Sequence, residues 1–157
     1  MNKYAVVGTG SRSGLFIRSI INDHRDNNTL VAFCDTNQKR MDYYNNFLKE
    51  HDHDELPTYL AKDFEQMIVD TRPDIVIVTS MDRTHHHYII KAMELGCDVI
   101  CEKRMTIDEE KCKQIIDTAN RTGKKLRVTF NYRYAPHHSK VRELIKDGVI
   151  GDVFSAV

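Results

Sequence analysis

Near the N-terminus, Gly8-Thr9-Gly10-Ser11-Arg12-Ser13-Gly14 has the composition to hold a phosphate group with main-chain atoms. Glycine at the first position lets a chain leave a strand in a tight turn. A second glycine lets a pyrophosphate approach the backbone, and a small third residue permits close helix-on-sheet packing. Gly8 and Gly10 fill the first two roles; the third falls to Ser13 or to Gly14, so the motif is Gly-x-Gly-x-x-Ser or Gly-x-Gly-x-x-x-Gly. A helix opening there adds unpaired N–H groups and the positive end of its dipole. Thr9 and Ser11 lie within the same cradle. Arg12 either covers a bound nucleotide or stands in solvent.

Asp35 stands 21 residues beyond Gly14, after the apolar run Leu30-Val31-Ala32-Phe33-Cys34. A carboxylate there accepts the ribose hydroxyls of an adenosine and repels a 2′-phosphate, which favours NAD over NADP. Lys39 and Arg40, one helical turn on, offset part of that repulsion; the bland alternative is a turn-forming Asp. Glu102-Lys103-Arg104 follows a later strand. Lys103 in that place can bond a substrate hydroxyl, raise the local potential, or serve in acid–base work if burial lowers its affinity for the proton. Three exposed loop charges are the structural alternative.

The elements that must position these residues alternate. Apolar runs predict strands at Tyr4–Val7, Leu30–Cys34, Thr58–Leu60, Ile75–Val78, Asp98–Cys101 and Leu126–Phe130, with helix-period segments between them. Ile75-Val76-Ile77-Val78 is continuous rather than alternating, as a parallel strand covered on both faces must be. Asp63 with Gln66 predicts a helix cap, and Thr106 with Glu109 predicts a capping box ahead of a helix burying Cys112, Ile115, Ile116 and Ala119. A helix is expected from His87 to Leu95, ended by Gly96, and another after Pro136 carrying Val141, Leu144 and Ile145 to Gly148. Gly151–Val157 predicts one more strand. The fold class is α/β: a doubly wound, mostly parallel sheet with helices on both faces, whose ligands sit at the carboxyl ends of the strands.

Composition agrees. The 157 residues are 41% hydrophobic and 29% charged, with 23 basic and 23 acidic side chains, enough for one domain and without the field that draws nucleic acid or membrane surfaces. There is no span-length apolar run and no signal-peptide pattern, so a cytoplasmic location is expected. Cys34, Cys97, Cys101 and Cys112 form no Cys-x-x-Cys pair and read as reduced thiols, three of them in apolar segments. His51/His53 and His85-His86-His87 have a metal-like look, yet one group is in a polar loop and the other points in different directions; no metal is assigned. His137 and His138 receive no role. Tyr88 and Lys91 lack the Tyr-x-x-x-Lys spacing of short-chain dehydrogenases.

With Thr79-Ser80-Met81-Asp82-Arg83-Thr84-His85, Gly96 ahead of Glu102-Lys103, and Asn131-Tyr132-Arg133-Tyr134 in this order, the chain resembles the glucose-fructose oxidoreductase and inositol dehydrogenase family (Gfo/Idh/MocA) along nearly its whole length. The resemblance implies an N-terminal Rossmann domain followed by an open-faced antiparallel sheet domain, and hydride transfer between NAD or NADP and hydroxyls of sugars or polyols. It maps the glycine loop to Gly8, Gly10 and Ser13, the ribose carboxylate to Asp35, and a nicotinamide-side loop to Thr79 through His85, with Ser80 inside it. Its Glu-Lys-Pro motif, whose lysine contacts substrate and cofactor, maps to Glu102 and Lys103, and makes Lys103 the catalytic candidate. Arg104 replaces the proline, whose ring would restrain the residue before it.

The resemblance further implies residues 1–135 as the NAD(P)-binding domain. Residues 136–157 would be a connecting helix and the first strand of a second domain. That domain holds the family's Asp and His pair and its oligomer contacts, so a shortened chain or split gene product, and a homo-oligomer in complete form, are expected. Two other readings stand beside hydride transfer: a non-catalytic dinucleotide-binding module, and an NAD-dependent glycosidase of the same family. A methyltransferase shares the glycine-rich loop but has no use for the later motifs.

Overall fold

A computed structural model describes residues 1–155, Tyr134 by its backbone only. Six strands form one sheet: β1 (Asn2–Val7), β2 (Asn28–Asp35), β3 (Thr58–Leu60), β4 (Ile75–Val78), β5 (Asp98–Cys101) and β6 (Leu126–Val128). Their order is β3-β2-β1-β4-β5-β6 and every pairing is parallel. The strand order reverses between β1 and β4, where the two crossovers leave toward opposite sides and open a crevice above the strand ends.

Apolar side chains alternate between two cores. Ala5, Val7, Val76, Val78, Val99 and Cys101 face α3 (Phe64–Thr71), α4 (Asp82–Glu94) and α5 (Glu109–Thr122). Val6, Phe33 and Ile77 face α1 (Ser13–Arg18), its π-helical extension through Asp23, and α2 (Gln38–Glu50). Both faces of the central strands are therefore buried, which is why Ile75–Val78 has no polar alternation.

Several expectations need correction. The Thr106 capping box does not form: Asp108 is the cap of α5, its carboxylate accepting from the Lys111 N–H at 2.9 Å, while the Thr106 hydroxyl is buried without a partner. Asp63 caps nothing with its side chain. Helix α4 begins at Asp82, five residues before His87, behind an extended Met81 that makes no cap bond. Ile116 is exposed, and only Ile115 of that pair is in the core. β6 ends at Val128. After Pro136, α6 (Pro136–Lys146) forms but buries none of its residues; Val141, Leu144 and Ile145 all stand in solvent. Residues 151–155 make no strand; Ala156 and Val157 lie outside the described residues. Among the described residues no helix is long and apolar enough to cross a membrane.

Candidate functional site

Gly8 ends β1 with φ +87°, and a Cβ on it would lie 2.4 Å from the Ser80 nitrogen and 2.6 Å from the Thr79 carbonyl carbon. Those atoms are backbone and cannot yield, so only glycine fits where the two central strands converge. Around Gly10, by contrast, a Cβ would meet nothing within 4 Å. The second glycine thus leaves its space open to a ligand. The third role is divided. Ser13 is fully buried and donates its hydroxyl to the Gly10 carbonyl at 2.6 Å. Gly14 is the close approach, since a Cβ there would lie 2.9 Å from the Tyr44 hydroxyl. That same hydroxyl donates to the Gly10 carbonyl at 3.0 Å, so Tyr44 of α2 holds the turn from behind.

Asp35 is buried at the end of β2 and straps the loop down. Its Oδ2 accepts from the Thr9 N–H at 2.6 Å and the Thr9 hydroxyl at 3.0 Å; its Oδ1 accepts from the Asn37 N–H at 2.9 Å and the Thr36 hydroxyl at 3.3 Å. A carboxylate offers roughly four lone-pair sites, so a ribose hydroxyl must displace a threonine hydroxyl to reach it. Arg40 stands 3.8 Å away with an exposed side chain, and the cleft between it and the glycine loop encloses about 330 Å³.

On the other side of Thr79 and Ser80 lies a second cavity of about 380 Å³, walled by Arg12, Glu102, Lys103 and Tyr132 among others. The Thr79 hydroxyl is spent on the Gly8 carbonyl at 2.7 Å, and Ser80 shares its hydroxyl with Thr84 at 2.9 Å. Glu102 is buried and accepts from the Thr129 hydroxyl at 2.6 Å and the Lys103 N–H at 3.3 Å. Arg12 neither floats free nor turns toward Asp35; its Nη2 lies 3.1 Å from Glu102 Oε1. Lys103 is exposed, its Nζ 5.7 Å from the centre of the Tyr132 ring, and the peptide to Arg104 is cis. His85 is buried to 1% exposure, with both ring nitrogens on backbone carbonyls.

The predicted residues thus divide. Gly8, Gly10, Asp35, Thr79 and Ser80 line the first cavity; Arg12, Thr79, Ser80, His85, Glu102 and Lys103 line the second. Thr9 and Ser13 act from beneath the loop, and Ser11 is exposed on it. Tyr44 and Thr129 were not foreseen. A phenol on the buried stripe of a helix needs a polar partner, which was the available signal for Tyr44; Thr129 carried none. Among the described residues, no three His, Cys, Asp or Glu side chains gather as a metal site would require. A further cavity, of about 290 Å³, lies elsewhere, against Met1, Arg25 and His53, and shares no residue with the loop.

Residues 2–130 match the family described as "oxidoreductase family, NAD-binding Rossmann fold", GFO_IDH_MocA. The chain belongs to the Gfo/Idh/MocA family. It is 32% identical over 156 residues to YteT of Bacillus subtilis (strain 168), named as an oxidoreductase, matching 99% of this chain and 36% of that one. It is 35% identical over 92 residues to D-glucoside 3-dehydrogenase of Escherichia coli (strain K12), covering 59% of this chain and 26% of that one. Scyllo-inositol dehydrogenase of Lactobacillus casei, solved with bound NAD(H) and scyllo-inositol, superposes with a TM-score of 0.80 over 97% of this chain and 43% of its own, at 21% identity. This Gfo/Idh/MocA chain therefore spans about a third of the length of the curated relatives it matches, and it is an NAD-binding Rossmann domain.

Proposed function

We propose that this chain is the cofactor-holding part of an enzyme that moves a hydride between NAD and a carbon bearing a hydroxyl in a sugar or polyol. The observation that carries this reading is the pair of cavities sharing Thr79 and Ser80 as a wall. Gly8, Gly10 and Asp35 stand on one side; Arg12, Glu102 and Lys103 stand on the other. The open space at Gly10 fits a pyrophosphate, and the Asp35 carboxylate suits a ribose with a free 2′-hydroxyl, so NAD is preferred over NADP. Bound there, the nicotinamide supplies hydride transfer.

The chain's own side chains do the rest. Arg12 and Thr129 hold Glu102, which holds the Lys103 N–H; the Lys103 ammonium, over Tyr132, then faces the second cavity as a donor to a substrate hydroxyl. Residues 1–135 make up this dinucleotide domain, and 136–157 lead toward a second domain that selects the substrate and forms the oligomer.

Titration calorimetry with each dinucleotide tests the proposal. NAD is expected to bind more tightly than NADP, and Asp35→Asn to narrow that gap while weakening NAD. Absence of heat from both dinucleotides at millimolar concentration overturns the reading.

A further inference from the structure

His85 sits in the first turn of α4 with 1% of its surface exposed. Its Nδ1 lies 2.7 Å from the Arg104 carbonyl oxygen, and its Nε2 lies 2.9 Å from the Ser80 carbonyl oxygen. Carbonyl oxygens only accept, and a neutral imidazole has one N–H. Either neutral tautomer would therefore press a nitrogen lone pair against an oxygen lone pair at hydrogen-bond distance, in a buried place where an unmade bond is costly. Hydrogen on both nitrogens satisfies both contacts.

Cys101 does not offer an escape. Its Sγ lies 3.3 Å from Nδ1, but its S–H is directed to the Glu102 carbonyl at 3.1 Å. Burial pushes the thiol up to about 12, so it keeps its one S–H; even turned to Nδ1, that weak donor would leave the Arg104 carbonyl facing a ring lone pair at 2.7 Å. Asp82 and Glu102 line the same cavity with Lys103, but each carboxylate already faces a guanidinium, Arg104 at 3.5 Å and Arg12 at 3.1 Å, so the two carbonyl contacts are what would hold the ring's second N–H.

We propose that His85 is a positioning residue: a doubly protonated ring that ties the loop after β4 to the Lys103–Arg104 segment and so fixes where Lys103 enters the second cavity. Arg104 gives the backbone none of the φ restraint of a proline. Restraint on Lys103 comes instead from its flanks, its own N–H bonded to Glu102 and the next carbonyl held by His85. The same ring grips Ser80, the wall between the two cavities. Its bearing on hydride transfer rests on the proposed function; the state of the ring does not.

The test is nuclear magnetic resonance on the chain with 15N-labelled histidine at neutral pH, without dinucleotide. Two slowly exchanging ring N–H signals are expected from His85, assigned by their loss in His85→Gln. A single ring N–H, or the nitrogen shifts of a neutral tautomer, overturns the proposal. The second readout is the Lys103 ε-methylene resonance, which is expected to carry a ring-current shift because the adjoining Nζ stands over the Tyr132 ring at 5.7 Å from its centre. His85→Gln, with one amide donor group in place of two opposed ones, is expected to collapse that shift toward the free-lysine value; a preserved shift in the folded variant shows that His85 does not position Lys103. Should the variant fail to fold, the His85 signals are assigned instead by their nuclear Overhauser contacts to the Cys101 side chain, which lies 3.3 Å from the ring, and the wild-type spectrum still decides. A chain that binds no NAD yet shows both ring signals defeats the functional reading and leaves the paired-carbonyl ring standing.

Discussion

The glycine loop depends on side chains remote in sequence. Tyr44 reaches across 34 residues to the Gly10 carbonyl, which also receives the Ser13 hydroxyl. Tyr44→Phe removes one of two donors to a single oxygen and keeps the ring packing, so its cost is set by the bond alone, about 1 kcal/mol. NAD affinity is expected to fall by roughly threefold to tenfold in the same calorimetric titration, with the circular dichroism spectrum unchanged. Asp35 teaches a related lesson. Its position at the end of the second strand was readable, because a carboxylate after a buried strand has few reasons to be there. That its oxygens are already committed to Thr9, Thr36 and Asn37 was not readable, since spacing says where a residue lies in the chain and nothing of what meets it through space.

At the level of elements, periodicity served where burial was strong and failed where local chemistry offered two answers. Strands β1, β2, β4 and β5 lie in the centre of a parallel sheet, and their unbroken apolar runs announce that. Helix starts were harder. Thr106 and Asp108 both precede the α5 stripe, and the Thr106–Glu109 spacing fits a capping box. Asp108 wins because its extended backbone, φ −147° and ψ 164°, aims its carboxylate at the Lys111 N–H. Helix α4 has no side-chain cap at all, so nothing in its sequence marks Asp82 as the start.

The Asp108 assignment is testable. The Lys111 ammonium and N–H bonded to its carboxylate hold it below the usual carboxyl value of 3.8. A depressed value means stabilisation that is complete above the ordinary one and lost as pH falls through the lower, folded one. Asp108→Ala is expected to lower Tm by a few degrees at pH 7. The difference from wild type should shrink as the pH is taken below 3.8, measured by differential scanning calorimetry. Thr106→Ala, by contrast, should cost nothing as a cap.

On the scale of the whole molecule, chemistry and packing divide along the sheet. The thiols of Cys34, Cys97 and Cys101 are buried, and loss of hydration raises them to about 12, 11 and 12. Only Cys112 is partly exposed. Brief treatment of the folded chain with iodoacetamide at pH 8 is expected to add one alkyl group, on Cys112, by intact-mass spectrometry; guanidinium should release the other three. The apolar stripe of α6 is at the opposite extreme. Val141 is 55% and Ile145 44% exposed, so Val141→Gln and Ile145→Gln should each change the unfolding free energy by less than about 0.5 kcal/mol in urea titration.

The contact between Gly8 and the Thr79–Ser80 backbone reaches further than the turn it allows. The same two residues bound both cavities, and the Ser80 carbonyl is gripped by His85. A partition that thin and that firmly fixed cannot adjust to one guest without the other sensing it. On the proposed function, cofactor and substrate would meet across this one backbone segment, so a substitution that moves Ser80 is expected to disturb both chambers at once.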